Sequence, residues 1–244
     1  MGKLVVDFEI EEYLVGIFIK EMKNRFRCLV NVNGENTVCY IPSSCRLSNF
    51  IDLSNRKVLL QPIKTVTSKM KYSVFAAKYG KNYILLNLSM ANRIIEEQLG
   101  RRYFSFLGKR KNVAHEVSVN GYKSDLYIRD TNTIIEVKTI ISTKGEAVFP
   151  SVYSERANKQ LTDILRLLNE GYGVCYIFVS LNPYVRSIDI NEALTEYYNL
   201  FCKCVLNGMI YCGFSIRFKN EKPILRSKIP VELKWDRFNT DYSE

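Results

Sequence analysis

No run of about 18 apolar residues occurs in the 244-residue chain, which excludes a membrane-spanning helix. The opening stretch, residues 1–16, carries acids inside its apolar run and lacks a small-residue cleavage site, so it does not read as a signal peptide. Proline is scarce, at six residues, while tyrosine (16) and phenylalanine (13) are plentiful, a balance that excludes a disordered chain. Cys28, Cys39, Cys45, Cys175, Cys202, Cys204 and Cys212 make an odd set with no C-x-x-C pair. Structural thiols in a reduced, cytoplasmic protein account for them better than disulfides or zinc. There is no glycine-rich loop to cradle phosphate, no Ser/His/Asp arrangement, no internal repeat and no low-complexity segment.

What is present begins with charge. The net charge is +10, and it is uneven. Residues 1–80 hold 12 Lys/Arg against 7 acids, residues 81–111 hold 7 against 2, and residues 112–244 hold 16 of each. A positive surplus confined to one part of a chain is the expected footprint for a polyanion such as DNA or RNA. A general excess of lysine is the plainer alternative. Within the surplus, Lys20, Lys23, Arg25 and Arg27 cluster beside one strand-like run, and Arg101 and Arg102 precede Tyr103 and Phe104. Such basic and aromatic mixtures neutralise phosphates and stack bases, although a solvated face and core aromatics explain them equally well.

Up to about residue 88 the pattern is of short apolar runs separated by turn-forming stretches, among them "FRCLVNVNG", "NTVCYIP", "RKVLLQPIKTV" and "YSVFAAKYG". These predict a small β-barrel. From residue 89 the pattern changes. Ser89 can cap a helix in which Met90, Ile94, Ile95 and Leu99 share a face and Arg93, Glu96 and Glu97 lie on other sides. Three candidate strands follow, "AHEVSVNG", "SDLYIRD" and "TIIEVKTII". An amphipathic helix runs from about Ser154 to Glu170 on a stripe of Leu161, Ile164, Leu165 and Leu168, stopped at Gly171. "VCYIFVS" reads as a buried parallel strand, Asp189 and Glu192 as the capping box of a third helix, and "MIYCGFSIRF" as a last strand. The order predicts helices packed on one mixed sheet.

Charge inside an apolar strand is the most telling local feature. Glu136 and Lys138 share one face of "TIIEVKTII", while Ile135, Val137 and Thr139 take the other. The short polar link "RDTNT" predicts antiparallel pairing with the preceding run, with residue 125 opposite residue 137, give or take one. Asp125 then stands beside Glu136 and Lys138. Two converging carboxylates repel each other, and burial adds a desolvation cost; a divalent cation such as Mg²⁺ or Mn²⁺ removes both. Lys138 would hold the attacking water or offset charge gathering on phosphorus. Two other Glu-x-Lys triplets, at Glu21 and Glu232, are chance background; Pro223 and Pro230 break any hairpin between Glu221 and the second. An exposed Glu–Lys cross-strand pair is the structural alternative at Glu136. His115, the sole histidine, fits a strand edge better than a general base.

The stretches "NRFRCLVNVNGE", "MANRIIEEQL", "HEVSVNGYKSDLYI", "IIEVKTI", "FPSVYSERANKQL" and "PVEL" resemble the sugar fermentation stimulation protein A family, and Asp125…Glu136-Val137-Lys138 resembles the PD-(D/E)xK nuclease signature. The resemblance implies an α/β protein: an OB-like nucleic-acid-binding barrel over residues 1–84 and a PD-(D/E)xK, restriction-endonuclease-like domain with a mixed sheet over residues 85–244. It implies a Mg²⁺- or Mn²⁺-dependent DNA/RNA nuclease, or alternatively a DNA-binding regulator of sugar-utilisation genes without essential catalysis. Asp125, Glu136 and Lys138 match the catalytic positions, Val137 would lend its carbonyl to the metal, and Glu97 or Glu116 would complete the shell. Arg156 and Lys159 match basic positions facing phosphate. With Lys23, Arg25, Arg27, Arg93, Arg101 and Arg102 they form the expected nucleic-acid contacts. No membrane partner is implied, and a homo-oligomer is compatible. The chain departs from the family pattern at Ile41-Pro42-Ser43-Ser44-Cys45, at Ser151 and at Ala157, which touches ligand specificity and leaves the acids intact.

Overall fold

The computed structural model describes residues 13–43, 46–64, 70–88, 90–219 and 222–238. Ser89, Ser44 and Cys45 lie outside these residues. Every apolar run expected as a strand in the first third becomes one: β1 (Leu14–Glu21), β2 (Arg27–Val32), β3 (Glu35–Tyr40), β4 (Lys57–Pro62), β5 (Tyr72–Tyr79) and β6 (Asn82–Leu85). In β2 the alternation is strict, with Cys28, Val30 and Val32 buried. Asn33 and Gly34 both take positive φ (53° and 91°), the two-residue turn whose twist matches the β2–β3 hairpin. β1 pairs antiparallel with β2 and β4, and β4 with β5. β3 meets β5 in parallel at Tyr40 and Ser73. That contact closes five strands in the order β1-β2-β3-β5-β4, an OB-like barrel, and β6 extends it beyond β5.

The rest of the chain forms α1 (Met90–Gln98), β7 (Val113–His115), β8 (Ser118–Val119), β9 (Tyr122–Lys123), β10 (Leu126–Ile128), β11 (Thr133–Ile140), β12 (Glu146–Phe149), α2 (Glu155–Asn169), β13 (Gly173–Ser180), β14 (Ser187–Ile190), α3 (Thr195–Leu206), β15 (Ile210–Lys219), β16 (Lys222–Ile229) and β17 (Val231–Glu232). Six of these strands make a mixed sheet in the order β16-β15-β13-β11-β10-β7, with β11, β13 and β15 parallel. One face, including Ile135, Val137, Cys175, Ile177 and Phe214, joins a hydrophobic cluster continuous with α1 and the barrel interior. The other, including Ile134, Tyr176 and Phe178, packs under α2 and α3. Coverage on both sides explains the unbroken apolar run of β13.

Three expectations need correction. Asp189 is no helix cap: residues 187–190 alternate Ile188 and Ile190 inward as β14, which joins β12 and β17 in a small parallel sheet, and α3 starts at Thr195. Among the described residues β16 and β17, on either side of Pro230, form no hairpin with each other: β16 pairs with β15 and β17 with β14. "AHEVSVNG" is two strands, divided at Glu116, whose φ of 46° turns the backbone out of extended form. In α2 the buried line is Asn158, Leu161, Ile164 and Leu167, with Leu165 and Leu168 half-buried at its margin. Ser154, where the helix is expected to begin, is its N-cap, accepting from the Ala157 N–H. No helix of the described residues is long and apolar enough to cross a membrane. Six cysteines are buried free thiols.

Between the barrel and the sheet, residues 102–107 form a 3₁₀ turn that buries Phe104 completely. Its ring lies 5.1 Å from that of Phe214 in β15. The Arg101–Phe104 stretch is therefore divided: its last aromatic is core, while Tyr103 is 40% exposed and donates to Gln98. Phe104→Ala should cost about 3–5 kcal/mol in urea denaturation, because the cavity lies at a junction of rings that cannot collapse. A loss below about 1 kcal/mol would show that this junction is not structural.

Candidate active site

β10 and β11 pair with Leu126 opposite Ile135 and Ile128 opposite Thr133. Asp125, one residue before β10, therefore falls opposite Glu136, within one residue of the expected register. The Glu116 N–H donates to the Asp125 carbonyl at 2.9 Å and fixes the strand end that carries the acid. The carboxylate of Asp125 then turns onto β11, with Oδ2 accepting from the Val137 N–H at 2.8 Å and Oδ1 accepting from Asn92 Nδ2 of α1 at 2.9 Å.

Glu136 is 3% exposed, and both its oxygens are engaged. Oε2 accepts from the Tyr122 hydroxyl at 2.6 Å, and Oε1 accepts from Lys138 Nζ at 2.6 Å and from Gln160 Nε2 at 3.2 Å. Lys138 also donates to Gln160 Oε1 at 2.7 Å. The Glu–Lys pair is real but buried, with side chains only 4% and 16% exposed, so the exposed-hairpin alternative does not hold. A buried pair of this kind adds little net stability, because desolvation offsets its Coulombic attraction.

Electrostatics follow from the crowding. Burial, and next the negative charge of Glu136, push the Asp125 carboxyl up from its usual 3.8 to about 6, against the opposing pull of the Val137 N–H, Lys138 and Asn92. Desolvation and the same glutamate push the Tyr122 hydroxyl far up, so it stays a hydrogen-bond donor. These groups line a cleft of about 960 Å³ whose walls also include Lys123, Lys144, Arg156 and Asp163 of the α/β layer and Asn49 and Phe50 of the barrel. Among the described residues no three His, Cys, Asp or Glu side chains converge on one point. The donor set nevertheless fits a hard divalent cation: two carboxylates from adjacent strands, the Val137 carbonyl, and open cleft for water or phosphate oxygens.

The expected outer ligands do not converge here. Glu97 is tied to Arg93 at 3.2 Å and does not line the cleft; desolvation raises its carboxyl. Asn92 reaches Asp125 instead, because the two helix residues, 92 and 97, lie about 140° apart around α1. Glu116 lines the mouth but is exposed and paired with Lys123 at 3.1 Å. Of the expected basic contacts only Arg156 lines the cleft. Lys159 is on an exposed face of α2, Arg101 and Arg102 flank the 3₁₀ turn, and Lys23, Arg25 and Arg27 lie at the β1–β2 hairpin, where Arg25 covers the Phe26 ring at 4.8 Å. His115 is an exposed edge residue 3.6 Å from Glu96. Sequence reasoning misses Asn92, Tyr122, Gln160 and Asp163. Only Gln160 carries a signal: it lies on α2 at i+4 from Arg156, so both share a helix face.

Residues 89–222 match the family model described as "Sugar fermentation stimulation protein RE domain". The chain belongs to this family. Its relatives include the sugar fermentation stimulation protein homologs of Desulforamulus reducens, 26% identical over 90% of this chain and 95% of that one, and of Clostridium acetobutylicum, 25% identical over 88% and 95%. Among solved structures, that of Pyrococcus furiosus SfsA in complex with Ca²⁺ has a TM-score of 0.79 at 17% identity, covering 91% of this chain and 97% of that one. The barrel-plus-sheet fold is therefore shared across a wide sequence distance.

The raised Asp125 carboxyl has a consequence for stability. The folded state holds this proton more tightly than the unfolded state, so stability falls as pH rises from about 3.8 to about 6. In chelator, Asp125→Asn should be more stable than wild type at pH 7.5 by up to about 3 kcal/mol, with the gain gone at pH 4. Urea denaturation at both pH values checks it; an Asn variant no more stable at pH 7.5 would contradict the charge crowding.

Proposed function

We propose that this chain is a Mg²⁺- or Mn²⁺-dependent nuclease of PD-(D/E)xK type that hydrolyses phosphodiester bonds of DNA or RNA, with the barrel as its nucleic-acid grip. The observation that carries the reading is the meeting of Asp125, Glu136 and Lys138 in one cleft, where burial and mutual repulsion leave the carboxylates short of positive charge. The Ca²⁺ complex of the Pyrococcus protein and the positive surplus in the first 111 residues support it.

Asp125, Glu136 and the Val137 carbonyl would hold the ion. Bound there, Mg²⁺ or Mn²⁺ supplies a Lewis acid that polarises a phosphoryl oxygen and acidifies a water. Asn92 and the Val137 N–H orient Asp125; Tyr122 and Gln160 orient Glu136. Lys138, steadied by Gln160, presents an ammonium to the water and to charge developing on the phosphate. Arg156, at the first turn of α2, meets a neighbouring phosphate on the cleft wall.

Purified protein should cut labelled DNA or RNA with Mg²⁺ or Mn²⁺ and stop in chelator. Asp125→Ala should lower the rate about a thousandfold or more with the fold intact by circular dichroism. Cleavage indifferent to chelator and to this substitution would sink the reading. A complete lack of cleavage, with DNA binding retained in wild type, would favour the regulator without essential catalysis.

A further inference from the structure

Three apolar side chains line the cleft without belonging to either hydrophobic core: Phe50 from the barrel, Val148 from β12, and Val152 from the segment linking β12 to α2. Val148 is 48% exposed and Val152 61%. Phe50 is half-buried on the connection between β3 and β4, just after a 3₁₀ turn, and its N–H is anchored on the Leu47 carbonyl at 2.9 Å. That turn is tied down in turn by Glu21, whose carboxylate accepts from the Leu47 and Ser48 N–H groups at 2.8 and 3.1 Å. In the α/β layer, Asn191 donates to the Pro150 carbonyl at 2.8 Å and Ser154 caps α2, which fixes the backbone on both sides of Val152. The apolar groups are thus held on anchored backbone along a polar cleft, an arrangement that core packing does not require.

We propose that Phe50, with Val148 and Val152, forms a clamp for an unpaired nucleobase beside the scissile phosphate, so that the substrate is single-stranded nucleic acid or a single-stranded stretch. The substrate chemistry rests on the nuclease reading. The apolar groups share one cleft with the acids, and its cationic side chains suit an anionic strand. Lys144 and Arg156 line the same cleft and form no ion pair among the described residues, leaving them for phosphates on either side of the base. A base exposes a π-face to an aromatic ring only when it is out of a duplex stack, and stacking of that kind tolerates any base. Because Phe50 comes from the barrel and the acids from the sheet, the barrel completes the substrate site as well as gripping the strand elsewhere.

The test uses the full chain in chelator, where nothing is turned over, with a single-stranded oligonucleotide carrying one 2-aminopurine and with the matching blunt duplex. Wild type should change the 2-aminopurine fluorescence on binding. Phe50→Ala should weaken single-strand binding about tenfold and abolish that change, Phe50→Tyr should restore both, and duplex binding should shift less than about twofold. Val152→Ser, at an exposed position that cannot upset folding, should weaken single-strand binding in the same direction. Unchanged single-strand binding in both variants, or equal loss for single strand and duplex, would overturn the clamp. So would a wild-type dimer that Phe50→Ala dissociates, since the apolar wall would then be a subunit contact. A protein that shows the fluorescence response but never cleaves with metal loses the nuclease reading alone; one that cleaves normally and ignores both variants loses the clamp alone.

Discussion

Two neighbouring carboxylates in one cleft, Glu136 buried and Asp125 half-buried, are the constraint around which this molecule is arranged. Burial first, and then the negative charge of Glu136, raise the cost of ionising Asp125, and its carboxyl sits near 6 for those reasons. The surroundings compensate only in part. Lys138 neutralises one charge, while Asn92, Tyr122, Gln160 and the Val137 N–H supply dipoles. The remaining deficit is what a hard cation would fill. Strain of this electrostatic kind is stored where function needs it and sustained by packing elsewhere, here by a sheet covered on both faces.

The rest of the fold serves to hold that arrangement still. β11 is locked between β10 and β13, so Glu136 and Lys138 cannot change face without disturbing eight paired residues of the parallel ladder. α1 reaches Asp125 through Asn92, and α2 reaches Glu136 and Lys138 through Gln160. The β8–β9 hairpin, turned at Asn120 and Gly121, carries Tyr122 to the far oxygen of Glu136 and is fastened to α2 where Arg166 donates to the Asn120 carbonyl. Four separate elements therefore converge on three side chains.

Much of this is legible in the sequence for identifiable reasons. Short apolar runs and turn residues reveal all six strands of the N-terminal sheet, and in β2 the buried face writes its register into every second residue. The hairpin of Asp125 and Glu136 is readable because a short polar link leaves few registers. What fails is local signal overridden by context. Asp189 and Glu192 have the spacing of a capping box, yet Ile188 and Ile190 are drawn into the core and make a strand. Glu97 is expected as a ligand from the family resemblance; which side of α1 faces the sheet is not written nearby, and it is Asn92 that reaches Asp125. Tyr122 and Phe50 are invisible for a related reason: their roles depend on contacts between segments far apart in the chain.

The claim that the paired carboxylates await a cation is tested most directly by calorimetric titration of Mn²⁺ into the full chain near pH 6, in buffers of different ionisation heat. The account predicts binding accompanied by release of about half a proton, since Asp125 is then about half protonated. It also predicts loss of that binding in Asp125→Ala and in Glu136→Ala. Titrations without a binding event, or with one that both variants leave intact, would contradict it.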